Sequence, residues 1–404
     1  MIKTSFKTGR KSILMISELT LILLGLIAAL VIITELVSNK NLILGYNYRD
    51  VYQLEYTINK NFEGDERVQT ELRSLLNTIE AFPGVEKLGY WHFNPPFSKQ
   101  KNHPWGDLKY KGGIIKGATV DYFVAEENMS IVFRIHITEG RWFNNTDHLS
   151  KEMPVIINRK LKNQYFKDSD AIGEVIEFCG NQVKIVGVID DFRYMGEYAS
   201  PAHVLIGYQS IRENVQNPSG WCISCNGCGE HIFFFRTKTH DSSFEANLVN
   251  QLNTKYPDWT VTIQSVDKLH KDYLNRTWIP IMLISIILFY MVTNVLFGLF
   301  GLLWYNISLR QTEIGIRRSI GASRFYIYRQ FIVEMLVMTT LGVIPALIIA
   351  SQFSILKVFE ISSKVYLIAM ITATIIIYLL VTICALLPSY RASKIQPAVA
   401  LHEE

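Results

Sequence analysis

SLRQTEIGIRRSIGASRFYIYRQFIVE, residues Ser308 to Glu334, is a short basic segment lying between two long apolar runs. It carries five arginines: Arg310, Arg317, Arg318, Arg324 and Arg329. Lys and Arg are retained on the cytoplasmic side of a bilayer, so a loop of this kind orients everything around it. A loop so short, between two spans, is where a partner inside the cell would have to touch the protein.

The apolar runs follow from that anchor. Trp278–Leu309, Met335–Leu356 and Val365–Tyr390 contain no charged residue. Each exceeds the roughly 20 residues that a helix needs to cross a hydrocarbon core of about 30 Å. Leu19–Thr34 is shorter and sits between Glu18 and Glu35, but with Ile13–Ile16 it makes a fourth span. Lys3, Lys7, Arg10 and Lys11 precede the first span, and Arg391 and Lys394 follow the last. The loop after the third holds only Lys357 and Lys364. Four spans with this charge distribution put both termini and the arginine loop inside, and the middle of the chain outside. No small-x-small cleavage site follows the first apolar run, which therefore reads as an uncleaved anchor.

The expected layout is a cytoplasmic N-terminus at 1–11, spans at 12–37, 277–307, 331–356 and 365–388, and an extracytoplasmic segment at 38–276. The cytoplasmic loop is 308–330, the short outer loop 357–364 and the cytoplasmic tail 389–404. The outer segment, roughly 240 residues, is long enough to bury its own core as one or two domains. The net charge of +4 is small and the arginines concentrate at membrane flanks, which is a topology signal and not a nucleic-acid footprint.

Two pieces of the outer segment look alike. In Asp65–Ala81, Val68, Leu72, Leu75, Leu76 and Ile79 fall at helical spacing with Asp65 as an N-cap, and in Ser243–Lys255, Phe244, Leu248, Val249 and Leu252 do the same. Strand patterns flank both, at Val51–Ile58 and Val85–Phe93 for the first, and at Ile232–Arg236 and Trp259–Gln264 for the second. Two β-α-β units of this kind make a ferredoxin-like α+β layer. Between them, short strands bounded by Gly, Asn and Asp suggest a small, mostly β lobe inserted at about Glu139–Tyr208. The aromatic patch Tyr90, Trp91, Phe93, Phe97 and Trp105, with Pro95, Pro96 and Pro104, suits either a partner surface or ordinary core.

Here the chain resembles a known family. Glu313-Ile314-Gly315-Ile316-Arg317-Arg318, Gly321-Ala322-Ser323 and Gln330-Phe331-Ile332-Val333-Glu334 look like the signature of the MacB/FtsX-like permeases. The tail Pro388-Ser389-Tyr390-Arg391-Ala392, with Pro397-Ala398-Val399-Ala400-Leu401, is similar to their C-terminal ending. Gly140-Arg141, Val155-Ile156-Ile157-Asn158, Ile172-Gly173 and Ile185–Phe192 resemble the MacB-type periplasmic core. The resemblance implies an α-helical membrane protein with four transmembrane helices and a large α+β extracytoplasmic domain. That domain would comprise a porter-like βαβ layer, 38–138 and 209–276, and a sabre-like insert, 139–208.

The same resemblance implies an ABC transporter permease of the bacterial inner membrane, working as a dimer with an identical chain or a paralogue. ATP and Mg would sit on a separate ATPase docked at the arginine loop through Glu313, Ile314, Gly315, Arg317, Arg318, Gly321, Ala322 and Ser323. ATP hydrolysis inside would drive motion outside, for efflux, lipoprotein release or activation of a cell-wall hydrolase, with a periplasmic adaptor or hydrolase as further partner. No G-x-x-x-x-G-K-[ST] phosphate loop occurs in the sequence, so the chain is expected to bind no nucleotide and to be non-catalytic. The alternative is a membrane-anchored sensor or scaffold regulating a periplasmic partner. An integral-membrane enzyme ranks third, for want of any polar constellation within the spans, and no H-E-x-x-H or G-x-S-x-G pattern is present.

From the residues alone, Ile314 with Ile316 or Ile320 would be offered to a groove, and Arg317 and Arg318 to carboxylates. The alternative is a loop lying on anionic lipid headgroups. Asn294, Gly298 and Gly301 suit either a dimer seam or packing within the chain, and Glu18 and Glu334 suit either pairing with the loop arginines or solvated headgroup positions. Cys222, Cys225 and Cys228 form C-x-x-C-x-x-C beside His231, with Cys179 in the insert. An even set of four outside the cytoplasm favours disulfides. Free thiols, or a zinc site completed by Cys179 or His231, stay open.

Overall fold

The computed structural model describes residues 9–58, 66–97, 108–110, 113–115, 120–166, 170–209, 232–238, 243–356 and 361–393. The chain divides into a helical unit, Met1–Ser38 with Trp278–Glu404, and an α/β unit, Asn39–Thr277.

In the helical unit, among the described residues, four helices are long and apolar enough to cross a membrane. They are α1 (Gly9–Lys40), α6 (Val266–Leu309), α8 (Arg324–Ile355) and α9 (Ser363–Ser393), with the short α7 (Gln311–Ser319) between α6 and α8. Small residues set their contacts. Ala369, Ala373 and Ala385 of α9 and Ala346 and Ala350 of α8 are buried in one cluster with Leu19, Leu23 and Leu26 of α1. In lipid there is no hydrophobic drive between helices, so close backbone approach supplies the attraction. Gly342 shows how close: a Cβ there would lie 2.9 Å from Leu19 Cβ. Beside it, the Thr20 hydroxyl lies 3.1 Å from the Gly342 carbonyl while also bonding back to Ile16 O.

The α/β unit is built on a 12-stranded sheet: β1 (Val51–Ile58), β2 (Val85–His92), β3 (Leu108–Tyr110), β4 (Gly113–Ile115), β5 (Val120–Ala125), β6 (Ile137–Gly140), β7 (Met153–Asn158), β8 (Val175–Phe178), β9 (Asn181–Ile189), β10 (His203–Tyr208), β11 (Ile232–Thr237) and β12 (Trp259–Ser265). Its order is β12-β1-β11-β2-β5-β10-β7-β9-β8-β3-β4, with β6 paired to β9. The first four strands are mutually antiparallel. Helices α2 (Glu66–Glu80) and α5 (Phe244–Lys255) connect β1 to β2 and β11 to β12. This is the paired βαβ layer that the two sequence repeats indicate. The position read as its first N-cap, Asp65, lies outside the described residues.

Strand alternation divides the core into two faces. Tyr52, Leu54, Leu88, Tyr90, Phe233 and Phe235 pack under Leu72, Leu75, Ile79 and Leu248 of the two helices. Val51, Trp91, Phe234, Phe123 and Ile206 point the other way, onto the short helix α3 (Met129–Val132) and the loop residues Phe192 and Tyr194. Tyr90, Trp91 and Phe97 of the aromatic patch are thus core, while Trp105 and Pro104 lie outside the described residues.

The insert differs from the sequence expectation. The strands of 139–208 do not close on themselves but extend the same sheet, joined where Trp91 and His92 of β2 pair with Ala125 and Val124 of β5. Strand β5, from the stretch read as porter-like, runs parallel to β10, and β3 pairs with β8. A short apolar run reveals that a strand exists but not which edge it covers, because its partner is chosen by register and packing across the sheet.

Within this region Arg141 holds Asp147 by two bonds, Nη1–Oδ2 at 2.7 Å and Nη2–Oδ1 at 2.6 Å, and Asn144 N–H donates to Oδ2 at 2.9 Å. Burial pushes the Asp147 carboxyl up, but the Arg141 and Asn144 hydrogen bonds and the Arg141 charge outweigh it, leaving the carboxyl below its ordinary value. With the folded value depressed, the stabilisation is present above the unfolded carboxyl's range and is lost as pH falls through the folded value. Asp147→Asn is therefore expected to flatten the acid limb of the stability profile of the full chain below about pH 4. Thermal unfolding across that range reads it, and an acid limb identical to wild type would reject the assignment.

Candidate functional site

The basic turn between α6 and α8 is built by two caps. At the C-terminus of α7, Ala322 N–H donates to Arg317 O at 3.0 Å and Gly321 N–H to Arg318 O at 3.1 Å. Gly321 has φ +101°. Together these make a Schellman C-cap, which needs a residue with no Cβ penalty at its left-handed position. Two residues on, the Ser323 side chain accepts from Tyr326 N–H at 3.2 Å and starts α8. Gly321 and Ser323 are thus architectural, and Ala322 packs on the helical core. A Cβ at Gly321 meets open space, so only the backbone opposes one. Gly321→Val is expected to cost about 1–2 kcal/mol locally and to speed exchange of the Gly321 and Ala322 amides about tenfold. Gly321→Asn should keep most of the protection, and a valine variant with wild-type exchange would sink this reading.

A chain of polar contacts then ties α7 to α8. Arg317 bonds Glu313 one turn back and donates to Gln330 Oε1 at 3.0 Å. Gln330 Nε2 donates to Glu334 Oε1 at 3.1 Å, and Glu334 Oε2 pairs with Arg310 at 3.1 Å. Arg318 donates to the Ser393 carbonyl at 2.9 Å, at the end of α9. Glu334 therefore pairs with a loop arginine. Glu18 instead lies beside Gly298, whose Cβ would sit 3.6 Å from Glu18 Oε1.

These contacts redistribute the roles given to the loop. Ile314 is buried at 5% exposure in the helical core and Gly315 is buried beside it, so neither faces a groove. The side chains on the surface are Ile316, Ile320, Phe325 and Tyr326, with Ile320 81% and Phe325 70% exposed. Glu313 and Arg317 are also exposed, yet they are joined to each other. Arg324 and Arg329 are exposed and, among the described residues, make no ion pair. Sequence reasoning passed over Phe325 and used Arg324 and Arg329 only as topology charges, not as docking residues. The signal was present: the buried phase of α8 runs Ile327, Phe331, Met335, and Phe325 falls outside it.

Cys179 sits at a two-residue hairpin turn between β8 and β9, exposed, with φ +50° followed by Gly180 at +81°. Cys222, Cys225, Cys228 and His231 lie outside the described residues. Among the described residues no group of three or more His, Cys, Asp or Glu side chains could hold a metal ion.

The FtsX-like permease C-terminal family matches residues 281–397, over the helices that carry this turn, and the MacB-like periplasmic core domain matches residues 22–242. The chain belongs to the MacB/FtsX-like permease family. Among similar proteins, the uncharacterized ABC transporter permease YvrN of Bacillus subtilis is 27% identical over 72% of this chain and 70% of its own length. The macrolide export ATP-binding/permease protein MacB of Mannheimia succiniciproducens is 21% identical over 74% of this chain and 45% of its own length. The chain thus spans less than half the length of that MacB relative. The crystal structure of the periplasmic region of MacB from Actinobacillus actinomycetemcomitans is 13% identical, covering 57% of this chain and 94% of that one at a TM-score of 0.38. By its family the chain stands among the ABC transporter permeases, and four of its described helices are long and apolar enough to cross a membrane.

Proposed function

We propose that this permease couples ATP hydrolysis by a separate ATPase to motion of its α/β unit across a bacterial inner membrane, with both termini and the α7–α8 turn on the cytoplasmic side. ATP and Mg belong to the ATPase in this reading. The observation that carries it is the exposed apolar group Ile316, Ile320 and Phe325, flanked by Arg324 and Arg329 and mounted on a turn braced to α8 and α9. Large side chains left outside the core phase on a rigid support suit a groove with acidic rims, and a bare topology loop needs only the charge.

Mechanical work fits the helical unit better than conduction through one chain. Among its described residues the buried polar side chains are Thr339, Ser389 and Ser393, and no ionised group is buried among the helices. An aqueous or ionic path would call for such groups. A second permease chain, identical or paralogous, would pack on α6. There Gly301 is exposed with nothing within 4 Å of a Cβ, and Asn294 is exposed four residues after Tyr290, whose carbonyl it caps. Efflux, lipoprotein release and activation of a periplasmic hydrolase all use these parts.

Affinity purification of the full chain from its native membrane, with a photoreactive residue at Ile320, tests the assignment. Crosslinking to a nucleotide-binding subunit is expected. Crosslinks to lipid alone would reject docking and favour the membrane-anchored sensor.

A further inference from the structure

The loop between β9 and β10, residues 190–202, touches both ends of the α/β unit's chain. On one side it holds the segment that leads from α1 into β1. Arg193 is buried at 2% exposure, and its Nη1 donates to Leu42 O at 3.0 Å while its backbone N–H donates to Leu44 O at 2.9 Å. The guanidinium also closes the loop on itself, through Ala199 O at 2.7 Å and Glu197 O at 2.5 Å. Gly45 has φ +84°, and a Cβ on it would lie 2.3 Å from Asp191 O. Asn39 Nδ2 reaches Tyr198 O at 3.3 Å.

On its other side the loop holds the first turns of α6. The Glu197 carboxylate lies 2.9 Å and 3.0 Å from His270 Nε2. The other ring nitrogen of His270 lies 3.1 Å from Tyr48 OH, which belongs to the α1–β1 segment. One tautomer serves both bonds, with Nε2–H donating to Glu197 and Nδ1 accepting from Tyr48. Gly196 has φ +90°, and a Cβ there would come within 2.6 Å of the Tyr273 ring. Phe97 packs on both His270 and Tyr273, and its N–H donates to Tyr194 O at 2.8 Å.

We infer that loop 190–202 is a clasp that makes the chain leaving α1 and the start of α6 move together and passes their displacement into β9 and β10. Covalent continuity alone would carry that displacement only to β1 and β12, at one edge of the sheet. The clasp gives it a second route, into strands on the far side of the β2–β5 junction. The bonds suit the role. A guanidinium satisfied by carbonyls from two segments, and an imidazole satisfied on both nitrogens, hold direction as well as distance. The inference rests on the reading that this unit is driven from the membrane helices, but its test does not use the ATPase.

Hydrogen exchange on the full chain in lipid nanodiscs decides it. His270→Ala is expected to speed exchange of the Arg193 and Asn47 amides about tenfold, although these donate to Leu44 O and Phe133 O and not to His270, while amides of β7 stay at wild-type rates. Glu197→Ala should do the same, and Glu197→Gln, which keeps an acceptor for Nε2–H, should restore protection. Tyr48→Phe, which removes one oxygen, guards against a His270 variant that does not fold and should give a smaller rise at the same amides. Faster exchange confined to the first turns of α6, with Arg193 and Asn47 unchanged, would overturn the clasp. That result would leave ATPase docking standing, and a failure of docking would leave the exchange pattern unaltered.

Discussion

Under the proposed docking, Ile320→Asp and Phe325→Asp are each expected to release the ATPase while the chain stays folded in the membrane. Both side chains project from the α7–α8 turn and contribute nothing to the helical core. In an ATPase groove, each would bury most of a large apolar surface, worth about 1.5–3 kcal/mol, and an aspartate there adds an unpaired carboxylate. The loss per substitution is then about 2 kcal/mol or more, roughly a thirtyfold fall in affinity. Co-purification of the ATPase, and ATP turnover stimulated by the permease, would both decline. Arg324→Glu should weaken association less and mainly at low salt, since a rim charge acts through a screened field. Arg317→Met is expected to act differently, loosening the brace to Gln330 and so raising exchange in α7 before it touches affinity. Undiminished co-purification in both aspartate variants would remove the turn from the docking surface.

Arg236→Met should be the most damaging single change in the α/β unit. Arg236 stands on β11, in the middle of the four antiparallel strands, at 1% exposure. Its guanidinium meets three backbone carbonyls: Val132 O at 2.7 Å, Arg49 O at 2.8 Å and Asn47 O at 2.7 Å. Burial pulls its pKa down and the Arg134 charge adds to that, with Glu86 and Asp50 opposing. Methionine fills similar volume but takes the donor from the buried Val132 carbonyl, at about 1–3 kcal/mol, and from the partly buried Asn47 and Arg49 carbonyls, at less each. A net loss of about 3–5 kcal/mol is expected, with lysine recovering part of it through a single ammonium. Thermal unfolding of the full chain would show the α/β transition move while the helical unit's does not. A loss under about 1 kcal/mol would mean that water replaces the guanidinium.

Both predictions turn on side chains whose importance could be read only partly from the chain itself. Gly321 and Ser323, which the resemblance assigned to ATPase contact, carry a local punctuation signal, since only a few residue types cap helices in this way. Arg317 and Arg318 were legible as charges but not as internal braces, because their partners Gln330 and Ser393 come from other helices. Arg236 looked like the polar end of a strand. Its burial depends on where residues 47, 49 and 132 arrive, which no local pattern encodes.

Local chemistry therefore determined the four apolar helices, the basic turn between two of them and the repeated βαβ layer, because hydrophobic period and run length act within a few residues of one another. The tertiary structure alone decided that the inserted strands continue one sheet, that Ile314 turns inward while Ile320 and Phe325 stay out, and that loop 190–202 gathers both ends of its unit. Those outcomes depend on strand register and on backbone carbonyls far apart in the chain, where the gain from a hydrogen bond or a buried ring exists only once the partners have met.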